Sequence, residues 1–407
     1  MIIFGILCIL VCFWGLDRAF KAKSILIFVW VVLCYYTLTA VLVCVGLPDF
    51  SLLSNSFEEN YWAASTKWRM LINIFLCNCS FLLSDYFFSN KKVLKYNDIG
   101  KIPQTLAQIT HATFWISLVL VFIRYYGEDY SSFVSSADGG GWGMVLLQLT
   151  SCTNFYLVMK RKWLGVVVTI MVVFMIVVTT HVRSLLFYPI MPILIYYTYD
   201  GLYKYKTLKS FSLKALPFVG GLLCLAFILS VLRSGYVKLP EVNLAQISLD
   251  VLDYHNNSEP DTWSSLINYF WGFFTPFNKV LNIDYIPPQS IPHYNALVSF
   301  SYKYAYMDDA IHYPATIYHD LLLSFGNFAF VAAFFFYTYL KFISDYVQSS
   351  TVRLFLFSSI YPWHIYMLLR GSTDYSSAGI SYSLVLALMV LIIYDVLTDS
   401  KKNLKYR

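Results

Sequence analysis

The sequence predicts an all-α integral membrane protein of about eleven transmembrane helices. Charged residues are only 13% of the chain, against roughly 25% in a soluble domain, too few to cover a core with a water-facing surface. Mean hydropathy is +0.60 over 407 residues. The apolar residues also gather in runs near the length of roughly 20 residues that a helix needs to cross a bilayer.

Those runs fall at about 2–19, 24–46, 68–89, 106–125, 141–159, 163–180, 184–200, 215–232, 319–341, 352–369 and 377–397. The first has no basic segment before it and no small-residue cleavage site after Leu16, so it is expected to remain as a span. The seventh is short and contains Pro189 and Pro192, expected to kink it and open space beside Arg183. Charge supplies the topology. The clusters Arg18/Lys21/Lys23, Lys91/Lys92/Lys95/Lys101, Lys160/Arg161/Lys162, Lys204/Lys206/Lys209/Lys214, Lys341/Arg353 and Lys401/Lys402/Lys405/Arg407 fall on one side of this count. Most acids, including Asp49, Glu58, Glu59, Glu128 and Asp129, fall on the other. The positive-inside rule then places the N-terminus outside and the C-terminus in the cytoplasm. It also requires two crossings between 163 and 200, joined by a tight outer turn at Thr179–Ser184.

Three regions follow: residues 1–232 with eight spans, 233–318 as one large outer loop, and 319–407 with three spans and a cytoplasmic tail. Within the loop, Trp263, Leu266, Ile267, Phe270, Trp271, Phe274 and Phe277 recur at helical spacing. This stretch is too interrupted to span and is expected to lie in the outer interface. No internal repeat is visible, which weighs against a transporter built from inverted repeats. The basic residues form separate clusters rather than one stripe, so nucleic acid is not expected as a partner. All eight cysteines sit in or beside apolar runs, and neither a disulfide framework nor a zinc site is indicated. No cofactor and no metal are expected.

Two groups of residues could carry chemistry. The outer-side cations include five arginines, Arg69, Arg124, Arg183, Arg233 and Arg370, each at an expected outer helix end, whereas the cytoplasmic clusters are mostly lysine. Topology selection treats the two alike, so the choice of arginine needs another reason. A planar, permanently charged fork binds phosphate in two-point fashion. The plainer alternative is snorkelling to lipid phosphates or pairing with outer acids. The second group runs from Asp308-Asp309 through His312, Tyr313-Pro314 and Tyr318 to His319-Asp320, at the approach to an apolar run. A carboxylate or imidazole there could accept a proton from a sugar hydroxyl. Equally, Asp320 could serve only as a helix N-terminal charge. Asp308-Asp309 could be a solvated pair rather than a metal-binding one. Aromatics make up 19% of the chain, and Trp263, Tyr269, Trp271, Tyr302 and Tyr304 could line a path for sugars.

Many spans, one large outer loop before the last three, and the stretch Tyr313-Pro314-Ala-Thr-Ile-Tyr318-His319-Asp320 with Gly326 resemble the Wzy-type O-antigen (oligosaccharide repeat-unit) polymerases. The resemblance implies a glycosyltransferase-C-like bundle in a bacterial inner membrane. It implies transfer of an undecaprenyl-pyrophosphate-linked glycan to the terminal sugar of a new lipid-linked unit at the periplasmic face. A membrane protein that regulates chain length is the implied partner, beside the lipid-linked oligosaccharide and the bilayer. His319 and Asp320 would be catalytic; Arg69, Arg124, Arg183, Arg233, Arg370, His312, Tyr304 and Tyr318 would bind substrate. The chain departs from one pattern of the family, an arginine followed by glycine eleven positions later: the corresponding positions are Ser80, Ser135, Leu194, Leu244 and Ser381. An O-antigen ligase, or a flippase or exporter of lipid-linked sugars, is the competing expectation.

Overall fold

The computed structural model describes residues 1–46, 62–88, 102–126, 141–180, 184–217, 220–221, 240–254, 269–270, 272–274, 276–277, 316–370 and 373–405. Among these the chain is all-α, without a strand. Five segments are long and apolar enough to cross a membrane: α1 (Ile2–Lys21), α2 (Ile27–Val45), α3 (Ala64–Phe87), α4 (Gln104–Tyr125) and the bipartite stretch Ile317–Gln348. Two shorter apolar helices, Trp163–Thr179 and Ile380–Val396, accompany them. Such helices, which satisfy their own backbone polar groups, make this a membrane-embedded protein.

Besides the bipartite stretch, which interrupts the expected span 319–341, two of the expected spans are interrupted. Run 141–159 is split into α5 (Gly141–Thr150) and α6 (Thr153–Met159). At the break the Thr150 and Ser151 hydroxyls each donate to the carbonyl four residues back, at 2.6 Å, and the Cys152 amide shifts to the Leu149 carbonyl three residues back, at 3.4 Å. Next in order come α7 (Trp163–Thr180), α8 (Ser184–Lys204), which runs through Pro189 and Pro192, and α9 (Pro240–Tyr254). The bipartite stretch is α10 (Ile317–Phe325), a short 3-10 turn, and α11 (Ala329–Gln348). Run 352–369 is likewise split, into α12 (Thr351–Leu356) and α13 (Ile360–Leu369); α14 (Thr373–Lys405) follows. The two breaks face each other, with the Ser359 hydroxyl donating to the Gln148 carbonyl at 2.5 Å. Most of run 215–232 lies outside the described residues.

A bundle of α1, α2, α3 and α11 forms the core. Trp30 on α2 donates its indole N–H to the Tyr337 hydroxyl at 2.8 Å, and Phe81 stacks on the Tyr337 ring. Gly15 lets α1 press against Trp30: a Cβ there would stand 2.3 Å from the indole. Helix directions can be read from side-chain contacts. Phe4 meets Trp68 and Phe75 at one end of the α1–α3 pair, while Arg18 meets Asp85 at the other. Lys341 of α11 reaches the same carboxylate at 2.9 Å. Helices α1, α3 and α11 are therefore parallel. Lys23, between α1 and α2, shares their lysine-rich end, its carbonyl accepting from Gln348 at 3.1 Å.

Helix α9 lies in the stretch read from sequence as a loop. It buries Leu244, Ile247, Val251 and Leu252 and packs on α2 and α3. The Trp62 indole donates to Asp250 at 2.8 Å and the Thr66 hydroxyl to Asp253 at 2.6 Å, so α9 caps the opposite end from Asp85. Tyr269 also departs from a purely interfacial position. It is 6% exposed, and its hydroxyl bonds both Tyr339 on α11 and the His364 ring on α13. Phe270, Phe274 and Phe277 face outward.

Candidate functional site

The candidate site is built on α10. Thr316 enters in extended conformation, and its carbonyl accepts the amides of His319 and Asp320 at 2.9 and 3.0 Å, which closes the first turn. Asp320 thus occupies the first turn, where the unsatisfied amides and the helix dipole favour negative charge. Every residue from Ile317 to Ser324 is buried. The helix ends at Gly326, with φ +52° and ψ −128°, a conformation that side-chain-bearing residues rarely adopt.

Tyr318 anchors this helix. Its hydroxyl donates to Asn78 at 2.7 Å and lies 2.9 Å from Thr37, and its carbonyl accepts from Asn73 at 2.7 Å. Cys12 completes the knot, its sulfur 3.3 Å from the Thr37 hydroxyl. Four helices, α1, α2, α3 and α10, are therefore tied at one point, through hydrogen bonds among Cys12, Thr37, Asn73, Asn78 and Tyr318. Asn73 lies about 14 Å along α3 from its first residue, at 1.5 Å per residue. The reactive candidates accordingly sit within the bundle rather than at its outer rim as read from sequence. His319 is 0% and Asp320 3% exposed, and the Ser324 hydroxyl donates to Asp320 at 3.3 Å.

The other sequence-derived residues separate into two sets. Arg69 near the start of α3 and Arg124 at the end of α4 are exposed, and Arg370 caps the end of α13 with its guanidinium 5.8 Å from the Tyr366 ring. Arg183, Arg233, Tyr304 and His312 lie outside the described residues, as do Asp308 and Asp309. Tyr318 is committed to the knot, so its role in this arrangement is positioning. No group of three His, Cys, Asp or Glu among the described residues could hold a metal ion.

Sequence reasoning missed two polar groupings. One is the Tyr269–Tyr339–His364 cluster; a histidine inside run 352–369 was its only signal. The other is Asp85 between Lys341 and Arg18. Lys341 was read as a cytoplasmic rim charge, yet it is 5% exposed and turned inward to Asp85. A carboxylate at the end of one span and lysine at the end of another were both visible, but nothing local pairs them.

Comparison of the chain with protein families, curated proteins and solved structures returned no match. Its function is argued from the site alone.

Proposed function

We propose that the chain is a polymerase of undecaprenyl-pyrophosphate-linked oligosaccharide repeat units. In this reading it crosses a bacterial inner membrane about eleven times in a glycosyltransferase-C-like bundle. The N-terminus is periplasmic, the C-terminus cytoplasmic, and 233–318 forms the periplasmic loop. The observation that carries the reading is the placement of His319 and Asp320: adjacent proton acceptors in the first turn of a short buried helix, fixed by Tyr318 and ended by Gly326. Interrupted helices inside a membrane expose backbone and side chains for substrate, a use that uninterrupted packing does not require.

In the proposed reaction the terminal hydroxyl oxygen of the acceptor sugar attacks the anomeric carbon of the donor glycan. The bond from that carbon to the pyrophosphate oxygen breaks, and undecaprenyl pyrophosphate leaves with the bonding electrons. Asp320 or His319 takes the hydroxyl proton as general base. Arg370, with Arg183 and Arg233, would hold the pyrophosphate and offset its growing charge. His319 and Asp320 are buried, so in this reading substrate reaches them only when the packing around α10 loosens. An O-antigen ligase would share this donor and differ in its acceptor.

The competing transport reading has an observation of its own in the buried Asp85–Lys341–Arg18 cluster, since intramembrane charges often mark a pathway. One experiment separates the readings. Purified protein is given a synthetic lipid-linked repeat unit with metals chelated, and products are resolved on a gel. A ladder from wild type that is lost in Asp320→Asn and Arg370→Ala is the expected result. Wild-type activity in both variants would remove these residues from the mechanism. Lipid movement across vesicles without a ladder would replace polymerisation by transport.

A further inference from the structure

Two residues other than glycine have positive φ among the described residues, Lys23 at +53° and Arg161 at +55°. Both are cations, and both occupy the same place in the same motif. After α6, the Arg161 amide donates to Val158 and the Lys162 amide to Leu157. After α1, the Lys23 amide donates to Phe20 and the Ser24 amide to Ala19. This paired pattern ends many helices, and its left-handed position is normally glycine because a Cβ is strained there. Glycine would satisfy each turn better, so the turns alone do not explain the side chains. Strained positions concentrate where a side chain is needed.

The two cations converge. Arg161 lines a cavity of about 520 Å³ with Trp163, Tyr196, Tyr197, Tyr203 and Lys204. The Lys23 ammonium sits 4.4 Å from the centre of the ring of Tyr203, one of that cavity's lining residues. Trp163 and Tyr197 stack with 6.3 Å between ring centres, forming another wall. A second cavity of about 620 Å³ begins on the far side of Arg161 and adds Lys162 and His111. Asp200 is the one acid lining either cavity, so cations predominate. From Trp163 an exposed apolar stripe, Leu164, Val167, Val168 and Met171, continues along α7. Cations and aromatic rims above such a stripe match a phosphate headgroup with its acyl chains.

We propose that Arg161, Lys204 and Lys23 form a specific site for an anionic phospholipid of the leaflet at the lysine-rich end of the bundle, with the headgroup phosphate in the aromatic cavity and acyl chains along α7. The site stands apart from α10 and holds whichever reaction occurs there. It also gives the strained arginine a purpose: backbone strain is accepted to aim a guanidinium fork at phosphate.

The test uses full-length protein in mixed micelles containing either phosphatidylglycerol or phosphatidylcholine, with bound lipid counted by native mass spectrometry and Tm measured in parallel. Wild type should retain phosphatidylglycerol preferentially. Arg161→Gly should weaken that retention by about tenfold, the loss of one charge-assisted contact. Its Tm in phosphatidylcholine should hold or rise, because glycine relaxes the turn. Lys204→Gln, which leaves the turn unchanged, should weaken retention too, while Arg353→Gln, removing a half-buried cation stacked on Tyr346, should not. Undiminished binding by Lys204→Gln or by folded Arg161→Gly would overturn the proposal. Equal weakening by Arg353→Gln would overturn it in favour of diffuse surface charge. Binding of soluble glycerol phosphate as tightly as the lipid would overturn the lipid as occupant.

Discussion

Asp85 offers the sharpest test of how the bundle is held. Its carboxylate takes Lys341 at 2.9 Å and the Arg18 side chain, and Arg18 also donates to the Asp85 carbonyl at 3.2 Å. The partners differ in solvent access: the Lys341 side chain is 6% exposed and that of Arg18 31%. Asp85→Asn therefore leaves Arg18 partly solvated but strands Lys341, and stranding one member of a buried pair costs about 3–5 kcal/mol. Lys341→Met alone should cost less, about 1–2 kcal/mol, because Asp85 keeps Arg18. In the double variant no ammonium is stranded, so the loss should fall below that of Asp85→Asn alone. The assay is reversible unfolding in mixed micelles, followed by circular dichroism. The telling quantity is the coupling: Lys341→Met should rescue Asp85→Asn by about 2 kcal/mol instead of adding its own cost of about 1–2, a coupling of about 3–4 kcal/mol against the roughly 0.5 kcal/mol scatter expected of independent sites. Additive single-variant effects would refute the reasoning and show that Lys341 finds water or another partner.

Tyr318→Phe should cost about 1–2 kcal/mol by the same assay, since the Asn78 amide oxygen loses its donor where no water replaces it; a loss below about 0.3 kcal/mol would mean the knot re-forms without the hydroxyl. Gly326→Ala meets no atom within 4 Å, so its cost is backbone strain alone, about 1–3 kcal/mol. In the polymerisation assay that variant should lose more activity than its folded fraction explains, because α10 is re-aimed; full activity would separate the break from the site. Gly15→Ala sets a methyl 2.3 Å from the Trp30 indole and should lower stability by about 1–3 kcal/mol. Replacing Trp30 by Leu in that background should recover part of the loss, and failure to do so would exclude overpacking as the cause.

The fold was legible where the bilayer does the selecting. Runs 2–19, 24–46, 68–89 and 106–125 correspond to α1 to α4, with ends displaced by up to four residues, because spanning length and apolar composition are local properties. Interruptions were less legible for the same reason. Thr150-Ser151-Cys152-Thr153 and Ser358-Ser359 are small and only mildly polar, so an average over 20 residues runs straight through them. At both breaks a serine hydroxyl shares a helix carbonyl with a backbone amide, a local arrangement that hydropathy does not measure. Gly326 gave a stronger hint. Glycine is the residue that tolerates a backbone unable to continue a helix, and the break falls at Gly326. Helix α9 was missed although Leu244, Ile247 and Val251 repeat at helical spacing, because Glu241, Asp250 and Asp253 make the stretch read as a polar loop, and two of these acids find donors at the start of α3.

For the site, chemistry was legible and burial was not. Asp320 ahead of an apolar run marks a helix start, and the structure places it in the first turn. The partners that bury α10 are far away in sequence: Asn73, Asn78 and Thr37 stand 245, 240 and 281 positions from Tyr318. Each is an unremarkable polar residue within an apolar run, and only the fold converts them into a tie. The same distance argument explains why Tyr318 reads as a ligand-binding aromatic in sequence and as a strut in structure. A strut of this kind makes the site's two halves separable by experiment. Changing Tyr318 should move stability and activity together, whereas Asp320→Asn, which keeps the side chain's shape but removes its proton-accepting charge, should abolish activity beyond any loss of stability. If Asp320→Asn instead destabilises the protein as much as Tyr318→Phe, the carboxylate belongs to the scaffold, and the search for the general base moves to His319.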